Sequence, residues 1–144
     1  MSKYIIEEIE LVASELKVRY KLLFSEKAFF LYKELQKKYG KSNSDIYFLW
    51  EVLENEISVY NPTAIKDIAL LDFKGEVIVL VGDNISVYGI IFDDLVVASK
   101  VLWECTGFTV YLTNNKSSYL LAINDHDMLM ACGNQKKKIL GLVE

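Results

Sequence analysis

The sequence predicts an α+β fold, with N-terminal helices packed on one face of a mostly antiparallel β-sheet that carries one inserted helix. Three observations lead there. Helix-period apolar stripes dominate the residues before Pro62. β-rich runs punctuated by Gly, Asn and Asp dominate those after it. The 144 residues, 52% of them hydrophobic, suit a single domain over 1–144. A chain of this size can bury roughly 68–70% of its unfolded surface, so the core needs no metal or disulfide.

The first helix opens near Ser2, a candidate N-cap, with Glu7 and Glu8 in its early turns. Its stripe runs through Ile5, Ile9, Val12, Leu16 and Leu23, with Ala13 and Tyr20 beside it. Ser25 reads as a second cap, Ala28 to Tyr39 as a second helix, and Gly40 as its stop. Ser42-Asn43-Ser44-Asp45 opens a third helix through Phe48, Leu49, Val52, Leu53 and Ile57, ended by Pro62.

Ile65 to Leu71 fits either a strand or a short helix, and Lys74-Gly75 is a turn. Glu76 to Val81 has the continuous apolar texture of a strand buried on both faces. Gly82-Asp83-Asn84 turns the chain into Ile85 to Phe92, where Gly89 marks a bulge or a close approach. Asp93-Asp94 starts the inserted helix, through Leu95, Ala98 and Leu102. Phe108 to Thr113 and Ser118 to Ile123 are strands joined by the turn Asn114-Asn115-Lys116. Met128 to Ala131 is a further strand closing on Gly133, and Lys136 to Leu142 fits a helix or a strand.

Net charge is −4, unevenly spread: +2 over residues 1–40, −6 over 41–100 and zero over 101–144. Phosphate neutralisation needs Lys and Arg, so the acidic middle argues against a nucleic-acid surface there. It suits either a solvated face or a basic protein partner. Asp93 and Asp94 are its adjacent acids and are taken as candidate binding residues. Lys136-Lys137-Lys138 lacks interleaved aromatics and reads as a solvated face.

No stretch reaches the ~18 apolar residues of a membrane span, and acids interrupt the first apolar run. A cytoplasmic protein is expected. Cys105 and Cys132 form no disulfide framework; they could be bridged to each other, but buried apolar positions suit them better.

Catalytic patterns are missing. There is neither a dinucleotide-binding glycine motif nor a phosphate-binding P-loop. Cys105 follows a helix at its negative end, the wrong end for a low thiol pKa. No catalytic residue and no cofactor are predicted. The one notable polar cluster is Asn124-Asp125-His126-Asp127, which contains the single histidine. It admits a small-ligand or metal-binding role, or a turn whose Asn and Asp side chains bond local amides. Of the nine Tyr, seven Phe and two Trp, most are expected in the core, and a surplus could build an interface. Of Tyr47 and Trp50, one must face outward if both lie on the third helix.

The C-terminal third carries a recognisable order: Trp103-Glu104, Phe108 to Thr113, Tyr119 to Asp127, then Met128-Leu129-Met130 and Gly133. It resembles the end of small uncharacterised bacterial proteins of the toxin-immunity type. The chain departs from that pattern at Asp125-His126, where a His pair is common. The resemblance covers about a quarter of the chain. It implies a cytoplasmic, non-enzymatic protein that neutralises a toxin by binding it. The acidic middle would suit a basic toxin.

Overall fold

The computed structural model describes residues 2–41, 48–105 and 107–142. Among these residues seven strands form one sheet in the order β1-β4-β3-β5-β6-β7-β2, and every neighbouring pair is antiparallel. The strands are β1 (Tyr20–Leu23), β2 (Ile57–Tyr60), β3 (Val77–Gly82), β4 (Val87–Phe92), β5 (Val110–Thr113), β6 (Tyr119–Ile123) and β7 (Met128–Gly133). The helices are α1 (Ser2–Glu15), α2 (Ser25–Tyr39), α3 (Ala64–Asp67) and α4 (Leu95–Trp103), with 3-10 turns at Leu49–Glu51, Ile68–Leu70 and Lys136–Leu142. This is the α+β plan the sequence predicts, with α4 as the inserted helix.

One expectation fails. The helices do not share a face. α1, α3 and α4 cover a core that includes Ile9, Ala98, Val79, Leu112 and Leu121. α2 covers a second core with Ile78, Leu80, Tyr111, Leu120 and Met130. Successive strand residues point to opposite faces, so Val79 and Leu80 belong to different cores. Both faces of the central strands are apolar, and each needs a cover. Val77 to Val81 is buried throughout, as its unbroken apolar run requires.

Two helical stripes are also shorter than expected. α1 ends at Glu15, Lys17 takes a positive φ of 58°, and Tyr20 to Leu23 leave as edge strand β1. The apparent stripe position at Leu23 is a strand residue. Of the third helix, residues 42–47 lie outside the described residues. Beyond them stand only the 3-10 turn at Leu49–Glu51 and, in place of helix at Ile57, the edge strand β2. Ile57-Ser58-Val59-Tyr60 alternates in burial with period two, and β-branched residues favour that form.

Several local signals act as read. Asp94 caps α4, its carboxylate accepting from the Val97 N–H at 2.9 Å. Ser25 does not cap α2; it is the first helical residue, after Phe24. Gly40 follows α2 in an extended conformation and bridges to Leu53. Gly89 is a close approach rather than a bulge, because a Cβ there would meet Leu23 and Leu80 side-chain carbons at 3.0–3.1 Å. Register stays continuous across it.

Candidate functional site

The predicted candidate residues fall into two groups that the sheet holds apart. Asp93 follows the last residue of β4, which pairs with the first of β3, and Ile78 beside it pairs with Thr113 at the end of β5. Asn124 follows the last residue of β6, which pairs with Val110 at the start of β5. Asp93 and Asp94 therefore sit at one end of the strands, and Asn124 to Asp127 at the other.

At the first end the acids are engaged within the chain. Arg19 donates to the Asp93 carboxylate at 2.9 Å, and Asp94 is spent on its cap. Beside them lies an open hollow of about 530 Å³ that includes Asp72 and Lys74 in its lining. Those two pair at 2.7 Å, and the Lys74 hydrogen bond and charge lower the Asp72 pKa.

At the second end Asn124 builds the hairpin between β6 and β7. Its buried amide oxygen accepts from the His126 N–H at 2.9 Å and the Met128 N–H at 3.0 Å. Asp127 takes a positive φ of 64°, which Asp tolerates better than most residues. The Asp127 carbonyl in turn accepts from the Asn61 N–H at 2.8 Å, fastening the end of β2 to the turn. Asn124 thus serves the backbone, while Asp125, His126 and Asp127 are exposed. His126 Nε2 lies 3.5 Å from Asp125 Oδ1.

Trp50 meets this turn. Its ring stands edge-on to the His126 ring, centroids 6.3 Å apart. The Leu49 and Trp50 N–H groups donate to the hydroxyls of Tyr32 and Tyr111 at 3.2 and 3.3 Å. Tyr60 lies opposite Met128 across the β2–β7 pair, on the sheet face that carries Met130. Phe48 and Tyr60 are 51% and 64% exposed. The surrounding segments, 48–60 and 124–128, hold Glu51, Glu54, Glu56, Asp125 and Asp127 and no Lys or Arg. The corner is therefore aromatic at its centre and mainly acidic around it, with Lys136 reaching in to the Asn55 carbonyl.

Sequence reasoning named Trp50 and the turn separately and missed Tyr60 and Asn61. The alternation of Ile57 to Tyr60 was the available signal for Tyr60. Nothing in the sequence could have joined residues 50 and 126.

The other polar features have structural occupations. Among the described residues, no three His, Cys, Asp or Glu side chains are grouped to hold a metal ion. The hollow beneath the turn, between Asn61, Trp103, Phe108 and Asn124, is about 140 Å³. Small-molecule sites are typically ~300–1,000 Å³. Burial, with Glu8 and Glu104 nearby, pushes the Cys105 thiol up to about 12. Burial and Glu56 push Cys132 up to about 11. Both cysteines are free, and Cys132 lies in the α2-side core while Cys105 packs against the other. In the basic run, Lys136 donates to the Asn55 carbonyl and Lys138 lies over the Phe73 ring. An apolar trough of about 510 Å³ runs beside α2 over Leu23, Phe30 and Ile78, but Glu26, Lys27 and Glu34 give it mixed charge. Among the described residues no helix is long and apolar enough to cross a membrane.

No protein-family model matches the chain, and neither a curated protein nor a solved structure with significant similarity was found.

Proposed function

We propose that this chain is a non-enzymatic protein-binding module of the toxin-immunity type, and that it takes a basic partner at the corner formed by Trp50, His126 and Tyr60. The observation that carries the reading is the meeting of an aromatic group, half-buried at Trp50 and exposed at Tyr60 and His126, with a border in which five acids outnumber the one nearby cation, Lys136. Trp and Tyr supply contact area at low entropic cost, and they dominate interface hot spots. Acids around them steer a cationic surface toward the corner and orient it. The thiols are held protonated, and Asn124 is committed to its turn; these facts favour a binding role over catalysis or metal chemistry. A basic toxin is the partner class that fits the resemblance in the C-terminal third.

Affinity capture from the source cytosol tests this, with the Glu51→Lys/Asp125→Lys double variant run in parallel. The expected result is one stoichiometric basic protein, lost with the double variant. A partner retained by the double variant, yet lost on Asp93→Lys/Asp94→Lys, would move the surface to the opposite end of the sheet. Stoichiometric metal in untagged protein, lost in His126→Ala, would instead establish the turn as a metal site.

A further inference from the structure

The two edge strands differ in a way that bears on how a partner docks. In an antiparallel pair, residues alternate between those that hydrogen-bond the neighbour and those that turn their backbone groups away. Asn61 donates to Asp127 at 2.8 Å, and the β2–β7 register sets those two residues opposite each other. Ile57, Val59 and Asn61 therefore address β7. Ser58 and Tyr60 turn N–H and C=O outward, along the side of the last strand that no strand covers among the described residues.

Native edges are normally guarded by charge, proline or a bulge. β1, the opposite edge, has such guards: Lys21 lies within it and Arg19 just before it, paired with Glu76 and Asp93. β2 has none. Ile57-Ser58-Val59-Tyr60 contains no charged residue and no proline. Acids border it at both ends, with Glu54 and Glu56 before it and Asp125 and Asp127 beside its far end.

We infer that the β2 edge accepts an extended basic segment of the partner as an eighth strand, a refinement that rests on the function proposed above. The backbone of Ser58 and Tyr60 supplies the hydrogen bonds, as in other cases of strand addition. Lys or Arg side chains of the incoming strand reach Glu56 at one end and Asp127 at the other. A second copy of this chain fits poorly. Two-fold antiparallel pairing centred on Ser58 would set Glu56 of one copy opposite Tyr60 of the other, bringing two acidic borders together. Each end would then gather acids of both copies without the cations that a basic segment brings.

The test is a nuclear magnetic resonance titration of the 15N-labelled chain with a short peptide of alternating Lys and Val, beside its Glu–Val counterpart. The Lys–Val peptide is expected to shift the Ser58 and Tyr60 amides and slow their exchange with solvent; the Glu–Val peptide is expected to do neither. Ser58→Pro removes an outward N–H, which an edge strand tolerates. Ser58→Lys keeps the backbone and adds a guard. Each is expected to weaken binding at least about tenfold, with thermal unfolding showing that the fold is kept. Binding that survives both variants but is lost with Glu51→Lys/Asp125→Lys would overturn the edge inference and leave the acidic corner standing. Binding indifferent to all three, or no binding, would overturn both. A dimer in light scattering that Ser58→Lys converts to monomer would show that a second copy occupies the edge, and overturn the inference.

Discussion

The backbone N–H of Trp50 is held by the hydroxyl of Tyr111, a core residue of β5, at 3.3 Å. One residue earlier, the Leu49 N–H is held by Tyr32 of α2 at 3.2 Å. The two phenol rings meet edge-on, with centroids 5.7 Å apart. Two buried hydroxyls thus fix a short 3-10 turn, and the turn presents the Trp50 ring to His126. A surface aromatic is positioned from inside the protein.

Tyr111→Phe should keep the packing and leave the Trp50 N–H without its acceptor. A buried donor left unmet costs about 1–3 kcal/mol, and for this part-buried N–H the low end, about 1 kcal/mol, is expected. Denaturant unfolding should show a loss of that size. In a Trp103→Phe background, Trp50 emission should move to longer wavelength as its turn loosens. Unchanged stability and emission would detach Trp50 from the tyrosine pair.

Asn124→Ala removes one acceptor that serves two N–H groups, so a loss of about 1–3 kcal/mol is expected from chemical denaturation. Asn124→Asp retains an acceptor oxygen and should recover most of it. His126→Ala, at an exposed position, should stay within about 0.5 kcal/mol. The reverse ranking would mean that the turn is held by His126.

The adjacent acids should separate. Asp94→Ala deletes the α4 cap and should cost about 0.5–2 kcal/mol. Asp93→Ala breaks an exposed pair with Arg19 and should cost about 0–1 kcal/mol. Thermal unfolding of the two variants side by side measures the difference.

Alkaline pH should weaken the fold. Burial raises Tyr32 and Tyr119 from 10.0 to about 12, Cys105 from 9.0 to about 12 and Cys132 from 9.0 to about 11. Tyr111 is raised well above its ordinary value for the same reason. The unfolded chain releases these protons first, so above about pH 9 it binds fewer than the native state. Stability from these groups is full below about pH 9 and is lost as pH rises through their folded values. Urea midpoints should be flat across this set below pH 9 and fall above it. A midpoint that rose with alkalinity would contradict the buried tyrosines.

Much of the sheet was legible because its strands are continuous apolar runs between turn residues. Val77 to Val81, Tyr119 to Ile123 and Met128 to Ala131 need no partner to identify them. The same continuity pointed to cover on both faces, which makes the single-faced expectation avoidable in retrospect. The edges were harder. Tyr20 to Leu23 and Ile57 to Tyr60 are four residues each, short enough for a helical stripe to absorb them. Local chemistry was readable at Asp94 and in the Asn124 turn, where the bonds span two to four residues. The corner itself was not readable, since Trp50 meets His126, and Tyr60 comes beside Met128, only through tertiary packing.

That corner has a timetable. Within the sheet β2 pairs with β7 and no other strand, and the segments meeting at the corner are about seventy residues apart in the chain. On the ribosome, Tyr60 emerges well before Met128, and until β7 is made β2 has no strand to pair with. If the corner binds as proposed, competence to bind arrives late in synthesis and reports on the completeness of the sheet. A nascent chain stalled before Asn124 would carry helices α1 to α4 and the acids of its middle, yet lack the turn that completes the corner.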